Sequence, residues 1–237
     1  SMCSVDVREV LVEETHSFFA LNSSVDSIIL RRCEDVIIED SYIGNVWAED
    51  ISSLRLIGAR VGLVDIRDAL RIYVNGSVFE HWSKIGVREA LLWRNIDELS
   101  ICSSLFDGTY SVSFTNINIL RIRDSSINVP ISYVCVHHDI DIVNSYYNGH
   151  RIVFLSEMNK ESIDASLSSV FVWRSKNIAI SNASGIIVVA NSSGINISHS
   201  SATDICLTGS QRIIVDDCDI YMVFLVETAN ILSLIHI

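Results

Sequence analysis

The sequence predicts an all-β chain folded as a single-stranded parallel β-helix, a β-solenoid of the right-handed kind, with roughly 10–11 rungs of about 18–23 residues. Three observations lead there. A short apolar phrase recurs along the chain, the composition favours strand, and no stretch between recurrences suits a regular crossover helix. The phrase reads apolar-x-apolar-x-turn-small-x-apolar. It starts at Val36, Leu54, Ile72, Leu99, Leu120, Ile140, Ile163, Ile178, Ile195 and Ile213, with a fainter copy at Phe18. The starts lie 15 to 27 residues apart, so rung length varies more than in the strict left-handed hexapeptide kind.

Each column of the phrase has a physical reason. The first is aliphatic throughout and the third nearly so, Ala165 being the smallest member, which puts both on one face of a strand. The fifth is Asp, Asn, Gly, Ser or His except at Leu167, the residue types that tolerate or stabilise a bend. The sixth is Ser, Ala or Cys in every copy, as a tight corner with no room inside demands. The eighth returns to the core at Ile43, Val61, Phe79, Phe106 and Ile127. One such unit cannot close a core, but units stacked ~4.8 Å apart can.

Composition agrees and excludes several classes. Of 237 residues, 49% are hydrophobic and 19% charged, which rules out disorder. Lys occurs three times against fourteen Arg, and Pro130 is the single proline, so strong helix formers and ordinary turn punctuation are both scarce. A net charge of -12 argues against nucleic acid and anionic membrane as partners. No apolar run reaches the ~18–20 residues of a membrane-spanning helix.

The domain reading has three parts: an N-terminal cap over 1–17, the β-helix over 18–231, and a tail over 232–237. Ser1-Met2 reads as a tag-cleavage scar before an initiator methionine. The tail, Leu232 to Ile237, looks like a translated sequencing adapter, which implies a metagenomic gene fragment whose natural product continues further. A cut solenoid leaves a core cross-section and strand edges uncovered, so end-to-end self-association through Ile213 to Ile231 is expected.

The column pattern resembles the parallel β-helix repeats of the pectin-lyase-like superfamily, best over Asn177-Ile178-Ala179-Ile180-Ser181-Asn182-Ala183 and onward to Ile220. That resemblance implies an architecture and a carbohydrate connection. Asp216-Asp217 and Gly149-His150 are fragments, in the wrong order, of the catalytic sets associated with polygalacturonases. A second resemblance, through Arg32-Cys33-Glu34-Asp35-Val36-Ile37-Ile38-Glu39-Asp40, is to the short β-helix of tubulin-cofactor C and cyclase-associated proteins, and implies a cytoplasmic binding module.

Outward columns stack into surface ladders. The second column runs Arg121, Asp141, Asp164 on three successive copies, with Arg123, Asp124 and Asp139 beside it. Stacking predicts Asp141 and Asp164 ~5 Å apart, and Asp139 and Asp141 ~7 Å apart along one strand. Paired carboxylates at such separations are what glycoside hydrolysis uses, and Arg121 or Arg123 would hold an acidic sugar. The plainer reading is a salt-bridge ladder on a solvated face. His137 and His138, adjacent on a strand, point to opposite faces and do not share a metal, and with His150 they read as surface or packed side chains. The long rung from Ile72 to Leu99 carries His81, Trp82, Trp93 and Arg94, aromatics that cover the barrel or stack on sugar.

The six cysteines (3, 33, 102, 135, 206, 218) lack any C-x-x-C or zinc spacing, and Cys218 reads as a buried thiol in the small column. No metal or cofactor is expected. Missing a secretion signal, the chain reads as cytoplasmic, while five Asn-x-Ser sequons, at Asn22, Asn75, Asn182, Asn191 and Asn196, keep an extracellular or cell-surface location as the other reading. The leading functional expectation is a non-enzymatic structural or binding scaffold with a carbohydrate or protein partner. The alternative is a carbohydrate-binding or polysaccharide-cleaving β-helix, a glycoside hydrolase or lyase, using Asp139, Asp141, Asp164, Arg121 and Arg123.

Overall fold

Parallel strands stack coil upon coil for about 12 turns, slightly more than the sequence suggested. The structure is a computed structural model and describes residues 6–81, 90–108, 111–129 and 131–235. Among these residues the fold is all-β with no helix. Among the described residues no helix is long and apolar enough to cross a membrane.

A first stack contains β1 (Asp6–Glu13), β2 (Ser17–Leu21), β3 (Ser24–Glu39), β4 (Tyr42–Ile57), β5 (Arg60–Asn75) and β6 (Val78–His81). It continues through β7 (Ala90–Cys102), β8 (Leu105–Gly108), β9 (Ser111–Arg123), β10 (Ser126–Ile127), β11 (Ile131–Val143) and β12 (Tyr146–Tyr147). The long strands pair in parallel, β3 on β4 on β5 on β7 on β9 on β11. β1, in the stretch read as a cap, also pairs in parallel with β3.

Five of these strands, β3, β4, β5, β7 and β9, bend once. The backbone is left-handed at Arg32, Asp50, Asp68, Asn95 and Asn116, with φ of 52° to 59°. A second corner falls at Asp40, Gly58, Gly76, Ser103, Asp124 and Asn144, the turn column of the repeat. Inside that corner runs a ladder of buried serines. The N–H groups of Ser23, Ala59, Ser77, Ser104 and Ser125 donate to the hydroxyls of Ser41, Ser77, Ser104, Ser125 and Ser145 at 3.1–3.3 Å. The small column thus does more than fit: its hydroxyls satisfy corner amides that are buried or partly buried.

The stack ends at a hairpin. Asn148 and Gly149, with φ of 46° and 79°, turn the chain so that Tyr147 faces His150 in an antiparallel pair. Beyond it lie β13 (His150–Ser156), β14 (Ser162–Asp164), β15 (Ser168–Trp173), β16 (Ala179–Ser181) and β17 (Ile186–Ala190). β18 (Ser193–Ser198), β19 (Ser201–Thr208), β20 (Gln211–Val226) and β21 (Ala229–Ile235) follow. This second stack has its own apolar core, from Leu155 and Val170 to Ile213 and Val215. Its own serine ladders link Met158 to Ser175, Ser175 to Ser192 and Ser192 to Ser210, and Ala183 to Ser200.

The two stacks meet flank to end. Strands β15 and β17 are buried on both faces: Val170, Val172, Ile187 and Val189 face the second core, while Phe171, Trp173, Ile186 and Val188 join the first. Polar ties fasten the seam. Tyr147 donates to Asp204 at 3.1 Å, Asn191 donates to the Val136 carbonyl at 3.2 Å, and Arg174 donates to the carbonyls of His137 and His138. Arg174 also lies over the Trp173 ring, 4.3 Å from its centroid.

Candidate functional site

Two outward sides of the first stack carry the chemistry. The side that follows the bend presents three columns. One reads Ser17, Asp35, Ser53, Arg71, Glu98, Ile119, Asp139; the next Phe19, Ile37, Arg55, Tyr73, Ser100, Arg121, Asp141; the third ends Asn75, Cys102, Arg123, Val143. Four of the five expected residues therefore share one face.

Those four do not form a reacting pair. Asp141 accepts from Arg123, and Arg121 pairs diagonally with Glu98. The bond to Asp141 raises the Arg123 pKa above its usual value. Asp139 is exposed on β11. Further back, Arg55 holds both oxygens of Asp35 at 2.9 and 3.1 Å. Between these pairs lies a shallow depression of about 320 Å³, lined by Ser53, Arg55, Arg71, Tyr73, Glu98 and Ser100. Tyr73 is 39% exposed there, and among the described residues Arg71 has no ion pair.

Asp164 is elsewhere. The expected stack of Asp141 under Asp164 does not form, because the hairpin at Asn148-Gly149 takes the chain out of the first stack before Asp164 is reached. Asp164 lies on β14, which pairs with β16, opposite Ser181. It accepts from the Ser166 hydroxyl at 2.7 Å and the Asn182 amide at 3.1 Å, bonds that lower its pKa and tie it to a turn.

The side before the bend holds charged residues of which the sequence reading singled out Arg94 alone. Leu11, Ile29, Trp47, Asp65 and Leu92 form one column, and Glu13, Arg31, Glu49, Arg67 and Arg94 the next. Asp65, 9% exposed, is gripped by Arg67 at 2.7 Å and Arg94 at 3.0 Å. Its hydrogen bond raises the Arg67 pKa. Beside this triad Trp47 is 48% exposed, edging a shallow depression of about 260 Å³. A legible signal existed for both sides: each outward column, read from its first coil rather than from Arg121, already contains these charges.

The other expectations fall out as follows. His137 contacts the Asn116 side-chain oxygen at 2.6 Å, capping a polar ladder in which Asn116 donates to Asn95 and Asn95 to Asp68. His150 lies 3.3 Å from both the Ser184 hydroxyl and the Leu167 carbonyl. Trp93 is buried, edge-on to Phe79 at 5.9 Å, and covers the core. Trp82 lies outside the described residues, as does the His81 side chain. Cys218 is buried in the small column, its Sγ 3.2 Å from the Asp216 carbonyl, and burial raises its pKa. Among the described residues no group of three or more His, Cys, Asp or Glu is placed to hold a metal.

The class these features define is the parallel β-solenoid with charged, shallow outward sides. Set against protein-family models, curated proteins and solved structures, the chain matches none of them.

Proposed function

We propose that the chain is a non-enzymatic binding scaffold that displays ordered charge on a rigid coil. The observation that carries this reading is pairing. Asp35, Glu98 and Asp141 are each engaged by an arginine on a flat face, which leaves, among the described residues of that face, no carboxylate couple across a cleft. Strand-borne side chains spaced by the coil repeat suit recognition of an extended partner more than turnover of a bond.

A second reading is supported by one feature of the same face. Tyr73 and the unpaired Arg71, with the hydroxyls of Ser53 and Ser100, offer a ring surface and hydrogen-bond donors to a sugar. On this reading the scaffold binds carbohydrate without cleaving it.

A glycan array run beside a polysaccharide-depolymerisation screen tests both. The panel is the intact chain, the Asp141→Asn Asp164→Asn double variant, and Tyr73→Ala with Arg71→Ala. No cleavage by any of them is expected, and any glycan binding should vanish in the Tyr73 and Arg71 variants while surviving in the double variant. Cleavage by the intact chain that the double variant loses would overturn the scaffold reading.

A further inference from the structure

The chain contains two Asn-Gly dipeptides, and the structure treats them in opposite ways. Asn75 closes β5, in register with Ile57 on one side and Cys102 on the other. The N–H of Gly76 donates to the Cys102 carbonyl at 3.1 Å, so the corner holds that nitrogen in the coil-to-coil ladder. Asn148 and Gly149 form the turn of the hairpin between the stacks, and both are exposed. A Cβ built on Gly149 would meet nothing within 4 Å, and among the described residues its N–H has no hydrogen-bond partner. The N–H of Asn148 itself is anchored, to the Ile127 carbonyl at 3.0 Å.

An Asn-Gly pair carries its own electrophile and nucleophile. The side-chain carbonyl carbon of asparagine can close a five-membered ring with the next backbone nitrogen, and glycine has no side chain to block the approach. That nitrogen gives up its proton to water and bonds to Cγ; the side-chain nitrogen leaves as ammonia, and a succinimide remains. Water then opens the ring at one of its two carbonyls. One opening gives aspartate. The other gives isoaspartate, whose main chain runs through Cβ and Cγ and is longer by one carbon. In sum an amide nitrogen is exchanged for an oxygen of water, with no oxidant or reductant. A nitrogen held in a ladder hydrogen bond must first break from its neighbour, whereas one in an open turn is free to close the ring.

We infer that Asn148 is a self-modifying site that takes water as its co-reactant, and that its conversion alters the joint between the two stacks. The turn sits on the seam. Asn148 follows Tyr147, which is 1% exposed and donates to the buried Asp204 of the second stack. The Asn148 side chain also acts on the Tyr147 hydroxyl. Conversion puts a carboxylate into this turn, beside a tyrosine already bonded to one carboxyl. In the isoaspartyl form the added carbon also lengthens a turn that two residues had closed, and works against the pairing of Tyr147 with His150. The inference goes beyond the scaffold reading and holds whatever the outward sides bind.

Peptide mapping by mass spectrometry of the intact chain, aged in mildly alkaline buffer with and without urea, tests it. In the folded chain Asn148 should convert at least roughly tenfold faster than Asn75, whose neighbouring nitrogen waits on local opening of its corner. In urea, with both turns undone, the two should convert at similar rates. Asn148→Gln keeps the amide but would need a six-membered ring, so position 148 should then stay unmodified while the chain stays folded. The isoaspartate-rich fraction, separated by its extra negative charge, should unfold at a lower urea concentration than the intact chain. Asn148→Asp, which adds the charge without lengthening the turn, should fall between the two. Equal rates at Asn75 and Asn148 in the folded chain, or a slower Asn148, would overturn the site. An isoaspartate-rich fraction as stable as the intact chain would overturn its link to the seam.

Discussion

The last coil of the first stack and the last described coil of the second are built alike and are covered differently. β11 finishes the first stack under the flank of β15, β17 and β19, where Phe171, Trp173 and Val188 cover it. In the second stack the last described coil, β20 with β21, leaves Val223 and Leu225 half uncovered. The stacking that makes each coil stable is therefore not self-terminating. A solenoid end is sealed here by turning the chain and laying a side across it, which requires a sheet apolar on both faces. β15 and β17 are such sheets, and this is why they read as continuous apolar runs rather than alternating ones.

The strongest way to break that comparison is to empty the seal. Trp173→Ala removes a side chain 2% exposed at the seam, and its indole N–H has no partner to lose. The loss should be about 3–5 kcal/mol. Urea unfolding followed by two probes, one in each stack, should then separate into two transitions. A single coincident transition with a shift under about 1 kcal/mol would show that the stacks are held by something other than this flank.

Next comes a backbone test within the stacks. A Cβ on Gly62 would stand 2.2 Å from the carbonyl oxygen of Gly44, whereas a Cβ on Gly185 would stand 2.1 Å from the hydroxyl of Ser169. Gly62→Ala should cost about 2–3 kcal/mol with no side-chain remedy, because coil spacing fixes both backbones. Gly185→Ala should be relieved only in part by a companion Ser169→Ala, which removes the obstructing oxygen but also the acceptor of the buried Ile186 amide. Equal costs for the two alanines, with no relief in the pair, would mean that the second stack is as tightly spaced as the first.

Smaller effects are expected from the serine ladders. Ser104→Ala in the first stack and Ser192→Ala in the second each orphan one buried corner amide, that of Ser77 and that of Ser175. About 1–2 kcal/mol is expected from each by chemical denaturation. Matching values would show that both stacks use the ladder alike, and a gap above about 1 kcal/mol would show that one corner relaxes.

Much of this was legible from the repeat. Alternating aliphatic columns, the turn column and the small column place the coils, and β-branched residues with few helix formers leave no competing structure. Less legible was the path of the chain after Ile140. Regular starts at Ile140 and Ile163 imply one stack continuing upward, and they put Asp164 above Asp141. Asn148-Gly149 is the dipeptide that a two-residue hairpin requires, and it outranks the spacing because both residues must take positive φ. Diagonal pairs such as Arg123 with Asp141 were also beyond the column reading, because long side chains lean across registers that the backbone keeps straight.

The seam supplies the finest test, because a buried carboxyl there distinguishes the two stacks electrically. Asp204, 6% exposed, accepts the hydroxyl of Tyr147. Burial raises the Asp204 pKa, with the Tyr147 bond offsetting part of the rise, while burial and the neighbouring carboxylate raise that of Tyr147. A raised carboxyl pKa means that the folded state binds this proton more tightly than the unfolded chain does. The resulting stability is present in full below the unfolded value of about 3.9 and is lost as pH rises through the folded one. Asp204→Asn keeps an oxygen for Tyr147 and cannot ionise. The variant should therefore gain on the native chain in urea midpoint as pH increases from about 4 to 7, by less than the ladder substitutions cost. A difference that stays flat with pH would mean that Asp204 titrates as it does in the unfolded chain. A difference of opposite slope would mean that the seam stabilises the charge.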